Sequence, residues 1–191
     1  MEKNNSLRIE FKNIRDNLSQ ESKQQYSYMV SQNLIALLNS EFKGANIFLG
    51  FYPLENEIDL RPFYDYLLKK NIDLYFPVST PADKSLTFYR INDLKHDFKR
   101  GTYNVMEPIN RNFAINSFEK VLCITPGLIF DRNFNRVGYG AGYYDRFFAA
   151  NPSILKVGVA FDCQLIDGLT PKSHDVKMDY IVTDNSCLKR G

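Results

Sequence analysis

Apolar residues at Leu7, Phe11, Ile14 and Leu18 recur every three or four positions, which predicts a helix with one buried face. Ser19 is placed to cap a second helix, whose stripe runs Tyr26, Met29/Val30, Leu34 and Leu37/Leu38 and stops by Gly44. The period then changes. Residues 45–51 are an almost unbroken apolar run closed by Pro53, the pattern of a buried strand. Pro62 opens a short helix through Leu67 and Leu68, where its missing N–H does no harm. Further strands are predicted at 72–78, 86–91, 121–125, 156–161 and 180–183. Continuous apolar strands alternating with helices require a sheet covered on both faces. The fold class is therefore α/β with a largely parallel sheet, on which both N-terminal helices are expected to pack. No repeat or linker divides the chain, so residues 1–191 are expected to form one domain.

Charge narrows the function classes. The 191 residues carry 24 Lys plus Arg against 22 Asp plus Glu, a net +2. The balance is even along the chain, 14 basic against 13 acidic residues in 1–100 and 10 against 9 in 101–191. Without a basic block, a nucleic-acid partner is not expected. The opening Met1–Asn5 is charged and polar, unlike a secretory signal, and the apolar stretch around 121–130 is about half a membrane span by the usual ~20-residue rule. Cys123, Cys163 and Cys187 are too widely spaced for a zinc or redox motif. These features lead us to expect a soluble cytoplasmic protein without membrane contacts, a monomer or weak homo-oligomer.

Candidate chemistry concentrates between Thr125 and Phe148. Three of the ten glycines, Gly138, Gly140 and Gly142, fall within five positions just before a helix that starts near Tyr143. Glycines entering a helix N-terminus present several N–H donors to an anion, and the helix dipole reinforces them. Arg136 and Arg146 flank them, so phosphate is the natural guest; a tight strand-to-helix turn is the competing reading. Neither G-x-x-x-x-G-K-[ST] nor G-x-G-x-x-G is present. Asp145 falls in the first helical turn, and a phosphate site commonly adds Mg²⁺ held by one or two carboxylates. Asp175 and Asp179 are candidates for the second, with a solvated surface role as the alternative for each. His96 reads as a solvated turn residue, His174 as a loop residue near the active face, and Cys123 as core.

Five blocks together resemble the 5-formyltetrahydrofolate cyclo-ligase family (5,10-methenyltetrahydrofolate synthetases). They are residues 51–59, 103–108, 126–131 and 136–146 (Arg-Val-Gly-Tyr-Gly-Ala-Gly-Tyr-Tyr-Asp-Arg) and the closing Asp-Tyr-Ile-Val-Thr. The resemblance runs in order over nearly the whole chain. It implies a single three-layer α/β/α domain that uses ATP and Mg²⁺ to close 5-formyltetrahydrofolate to the methenyl form. Carried over by position, the ATP contacts would be Lys3, Arg8, Arg136, Gly138, Tyr139, Gly140, Ala141, Gly142, Tyr143 and Tyr144. Folate contacts would be Tyr52, Glu57 and residues Tyr139 to Tyr143; Asp145 and Asp179 would hold Mg²⁺. Glu107 fits a family block, but no role is assigned to it. Two departures stand out: Asn4, beside Lys3, replaces a common lysine, and Ala141 sits where many relatives have Gly or Lys. These departures are the only support for the alternative, a folate- or nucleotide-binding module without catalysis.

Overall fold

The computed structural model describes residues 2–191, with side chains from residue 5 onward. In chain order the elements are α1 (Glu2–Asp16), α2 (Gln20–Ser40), β1 (Ile47–Leu49), α3 (Arg61–Lys69), β2 (Asp73–Thr80), β3 (Ser85–Ile91), β4 (Phe98–Arg100), β5 (Met106–Pro108), β6 (Val121–Pro126), β7 (Ile129–Asp131), β8 (Arg136–Val137), α4 (Tyr143–Ala150), β9 (Leu155–Val159), β10 (Leu165–Ile166), β11 (Tyr180–Val182) and β12 (Cys187–Lys189). Single 3-10 turns lie at Thr102–Asn104 and Asp162–Gln164.

The predicted caps form. The Ser19 hydroxyl accepts the Ser22 N–H at 3.0 Å, satisfying one of the otherwise orphaned donors of α2. Pro62 occupies the first turn of α3. α2 ends at Ser40, four residues before Gly44, which sits at φ +85° in the turn that follows.

The main sheet has seven strands in the order β12-β11-β9-β6-β1-β2-β3. Every pairing from β11 to β2 is parallel, and the two edge strands β12 and β3 pair antiparallel. Successive residues of β1 and β6 face opposite sides. Phe48, Leu122 and Ile124 pack with Val30, Leu34, Phe63 and Leu67 of α2 and α3. Leu49, Val121 and Cys123 pack with Phe147 and Phe148 of α4. The result is the expected three layers, helices on both faces of a mostly parallel sheet.

Two expectations about packing are corrected. α1 does not lie on the main sheet; its Phe11 packs with Leu128, Ile129, Val137 and Leu169 on a separate small sheet of order β10-β7-β8. The stretch from 125 to 148 is also less of a loop than it reads, because β6 runs to Pro126 and β7 and β8 fold back as an antiparallel pair. Both strands are too short to show a period.

Strand order locates the site. From β1 the chain steps outward to β2 on one side, then returns to place β6 on the other side of β1. In open parallel sheets a ligand crevice opens at such a reversal, beyond the carboxyl ends of the strands. Here those ends lead into Phe51 and Tyr52 after β1 and into Pro126 at the close of β6.

Candidate functional site

A cavity of about 550 Å³ occupies that crevice, lined by Tyr52 and Glu57 after β1, Pro77 and Ser79 of β2, Arg8 of α1, and the run from Arg136 to Asp145. Its walls combine the glycine loop at one end with a carboxylate and aromatic rings at the other.

The glycine loop is built from behind. The Asp131 carboxylate is fully buried and accepts the N–H groups of Asn133 (3.0 Å), Asn135 (2.8 Å) and Leu169 (2.7 Å) and the Asn135 side-chain amide (2.9 Å). It thereby fixes the β7–β8 turn and ties it to the segment carrying Lys172, His174 and Asp175; the Met178 N–H closes the other end of that segment on the Phe134 carbonyl at 2.9 Å. Arg136 then runs under the loop. Its Nη1 donates to the Pro126 carbonyl (3.3 Å), its Nη2 to Asp145 (3.0 Å), and its guanidinium stacks over Tyr144 at 5.5 Å. This cation was expected to face phosphate; its side chain is only 5% exposed, and its donors brace the loop and the first turn of α4.

Two loop glycines require their residue type. Gly140 has φ +104°, and Gly142, at the N-cap of α4, has φ +73°, a region costly for side chains with a Cβ. Ala141 between them does not have positive φ, so its methyl group is accommodated and this departure from the resemblance costs nothing in backbone strain. The partly positive N-terminal end of α4 and the glycine loop before it have the chemistry that suits an anion. Arg8 closes this end from α1, with Nε donating to the Gly138 carbonyl at 2.9 Å. Lys3 lies outside the described side chains.

The opposite end is built around one buried carboxylate. Glu57 is 9% exposed; its Oε2 accepts the Leu54 N–H (3.0 Å) and its Oε1 the Tyr139 hydroxyl (2.5 Å). Burial first, then the Glu57 charge, pushes the Tyr139 phenol above its ordinary range, so it remains a proton donor at neutral pH. The Tyr52 ring packs against Phe98 at a tilt of 59° with centroids 4.8 Å apart, and its strand end is held by the Phe51 N–H donating to the buried Tyr64 hydroxyl (3.2 Å). Over the top, the β4–β5 hairpin brings Tyr103 to Tyr143, hydroxyl to hydroxyl at 3.3 Å. That bond is the main cause pushing the Tyr143 phenol up to about 12.

One expected site residue is not at the site. Asp179 precedes β11, at the amino end of the parallel strands, away from the crevice. It accepts the Lys156 N–H (2.9 Å), pairs with Lys156 Nζ (3.2 Å) and holds Arg190. The acid of that segment that lines the cavity with Asp145 is Asp175, which accepts the Lys172 N–H (2.7 Å). The next N–H along, from Val176, reaches Asp145 Oδ1 at 3.4 Å. Both acids lie in the segment leading into β11: Asp175 is still at the cavity wall, whereas Asp179 immediately precedes the strand and so sits at its amino edge, opposite the ligand crevice.

Arg15 was missed altogether. It is 2% exposed, with Nη2 donating to the Tyr139 hydroxyl (2.8 Å) and Asn56 Oδ1 (3.2 Å) and Nη1 3.7 Å from Glu57. The signal was available: Arg15 lies four residues after Phe11 on the apolar stripe and seven after Arg8, two turns along one helix face. Glu107 is buried and takes the Ser79 N–H (3.2 Å) and Arg111 (3.3 Å), bracing the hairpin against β2. His96 is an exposed turn residue bonded to Asp93, and His174 sits at the cavity wall.

The architecture and site together define an α/β protein whose glycine loop, at a helix N-terminus, opens onto an aromatic, carboxylate-bearing cleft. Comparison with known proteins gives the class a narrower name. The model of the 5-formyltetrahydrofolate cyclo-ligase family matches residues 1–184, and the chain belongs to that family. A 5-formyltetrahydrofolate cyclo-ligase of Haemophilus influenzae is 28% identical over 180 residues, 93% of this chain and 95% of its own length. The solved 5,10-methenyltetrahydrofolate synthetase of Aquifex aeolicus superposes with a TM-score of 0.83 at 31% identity, covering 97% of this chain and 92% of that one. That of Mycoplasma pneumoniae, at 24% identity and TM-score 0.72, shares the fold. Among the described residues no helix is long and apolar enough to cross a membrane.

Proposed function

We propose that this chain closes 5-formyltetrahydrofolate to 5,10-methenyltetrahydrofolate with ATP and Mg²⁺, releasing ADP and phosphate. The observation that carries this reading is that one cavity joins an anion seat to a buried carboxylate cleft through consecutive residues, since Gly138 meets Arg8 while Tyr139 meets Glu57.

The chemistry explains why both halves are needed. A formamide-type carbonyl is a poor electrophile, and its oxygen a poor leaving group. Attack of the formyl oxygen on the γ-phosphorus breaks the bond to ADP and leaves an N5 iminium phosphate. N10 then adds to the formyl carbon and gives up its proton, and the C–O bond breaks to release phosphate. Phosphoryl transfer of this kind asks the protein for position and charge neutralisation. The loop N–H groups, the N-terminus of α4 and Arg8 would supply both for the triphosphate. Glu57 would accept N–H donors from the pterin edge, held there by a charged acceptor, and Tyr52 would stack on the ring. No catalytic cysteine or serine–histidine pair is required.

The residues present fit Mg²⁺. Among the described residues no cluster of three or more His, Cys, Asp or Glu could hold a metal alone. A hard cation of this kind needs only one or two carboxylates when phosphate oxygens and water complete its shell. Asp145 and Asp175, which both line the cavity, would be those carboxylates, and the ion would neutralise phosphate charge. The proposal is tested by the methenyl chromophore. Absorbance should rise only when protein, 5-formyltetrahydrofolate, ATP and Mg²⁺ are all present, with one ADP released per turnover. Folate binding with no absorbance gain and no ADP would reject it.

A further inference from the structure

One buried cation at the cleft has no part in that scheme. Arg15 sits behind Glu57 and Tyr139, touching both, and contributes no donor to the anion seat. Its hydrogen bonds form a chain: Nη2 donates to the Tyr139 hydroxyl, and that hydroxyl donates to Glu57 Oε1. A third contact fixes the plane, with the guanidinium 5.8 Å over the Tyr139 ring. The Asn56 side chain, which Arg15 also holds, bonds in turn to Asp16, so the turn carrying Glu57 is tied to the end of α1.

Packing alone does not account for this arginine. α1 is already anchored by Phe11 in its apolar cluster, and burying a guanidinium where an aliphatic side chain would fit costs desolvation that the pair seldom recovers. The cost is visible. Arg15 Nε is buried without a hydrogen-bond partner among the described residues. Arg136 Nε is orphaned in the same way while that side chain braces the glycine loop, so both buried guanidiniums are kept where they hold site residues in place.

We propose that Arg15 is a positioning residue for the folate end of the site, acting through Glu57 and Tyr139 rather than on substrate. Its planar fork holds the Tyr139 phenol and the Glu57 carboxylate in one fixed arrangement. The acceptor that meets the pterin is then oriented before the ligand arrives. A lysine in its place keeps the charge but loses the fork. Because Arg8 of the same helix bonds the neighbouring loop residue Gly138, α1 holds two consecutive residues of the loop at once.

This inference rests on the assignment of Glu57 to folate, and the test separates the two. KM for 5-formyltetrahydrofolate and for ATP is measured in E57Q, R15K, R15M, R15M/E57Q and R15K/E57Q, with thermal unfolding as a check on folding. Loss of a hydrogen bond to a charged group predicts that R15M raises folate KM on the order of tenfold, with ATP KM within about twofold. R15K should fall between R15M and wild type. If Arg15 works through Glu57, the double variant is no worse than E57Q alone. An unchanged folate KM in E57Q would remove the Glu57 assignment itself. A raised KM in E57Q with R15M or R15K at the wild-type value, or single effects that multiply in the double variant, would overturn the role of Arg15 while leaving Glu57 in place. Should R15M fail to fold, the R15K/E57Q cycle reads the same coupling.

Discussion

Replacing Gly142 by alanine probes the anion seat through its backbone. Gly142 lies at φ +73°, ψ +23°, and an added Cβ would sit 3.0 Å from Arg146 Nη1. Left-handed backbone costs a non-glycine residue about 1–2 kcal/mol. The crowding adds to this, because Arg146 Nη1 donates to the Ala141 carbonyl at 2.8 Å and would have to move. Losing that exposed bond contributes at the low end of the ~0.5–1.5 kcal/mol range. A total of about 1.5–3 kcal/mol corresponds to a fall in Tm of roughly 3–12 °C for a chain of this size. Gly168 provides the control. It has φ +76°, open space within 4 Å of where a Cβ would sit, and no place in the cavity lining, so G168A carries the strain without touching the loop. Both variants are compared by thermal unfolding and by KM for ATP at saturating folate. G142A should lose stability at least as much as G168A and raise ATP KM about tenfold, as expected if ~1.4 kcal/mol of loop strain is relieved by turning N–H donors away from the nucleotide. G168A should leave ATP KM at the wild-type value. Equal and unchanged ATP KM in the two variants would refute the reading of residues 138–142 as the phosphate seat.

Other expectations follow from the placement of the acids and the thiols. Asp175→Asn and Asp145→Asn should each raise the Mg²⁺ concentration needed for half-maximal rate, and should weaken the binding of Mg²⁺–nucleotide measured calorimetrically. Asp179→Asn should leave both at wild type and instead lower stability by about 1–3 kcal/mol through its two cationic partners, read by denaturant unfolding. Cys123 is buried, and burial pushes its thiol up to about 12. Its thiolate fraction is therefore negligible from pH 7 to 9 and rises only as pH approaches that value. A thiol reagent at pH 8 should label the exposed Cys163 and Cys187 and reach Cys123 only after unfolding; three labels in the native protein would contradict the packing described.

Much of this architecture was legible in the residues themselves. The strands β1, β6 and β9 announce themselves because nearly all their residues are buried, and their apolar runs are almost continuous, with Lys156 the one charged residue. Ser19, Pro62 and the glycines before Tyr143 mark helix starts by local chemistry that tertiary packing does not override. The short strands β7, β8 and β10 were not legible. Two or three residues carry no period, and their pairing depends on Asp131 collecting N–H groups from residues up to 38 positions away. The different placement of Asp175 and Asp179 was hidden for a related reason. Four residues apart in one motif, they differ only in which edge of the sheet the chain has reached, and that follows from strand direction. Arg15 was hidden by its type, since an arginine on a helix ordinarily reads as solvated; only its position on the Phe11 stripe marks it as inward.

The central claim is that nucleotide and folate meet in one crevice across residues 138–142. A structure of the protein with a non-hydrolysable ATP analogue, Mg²⁺ and 5-formyltetrahydrofolate addresses it most directly. The account predicts the terminal phosphate against the loop N–H groups between Arg8 and Asp145, with the formyl oxygen facing it and the pterin at Glu57. A nucleotide bound elsewhere, or a pterin whose polar edge faces away from Glu57, would contradict it.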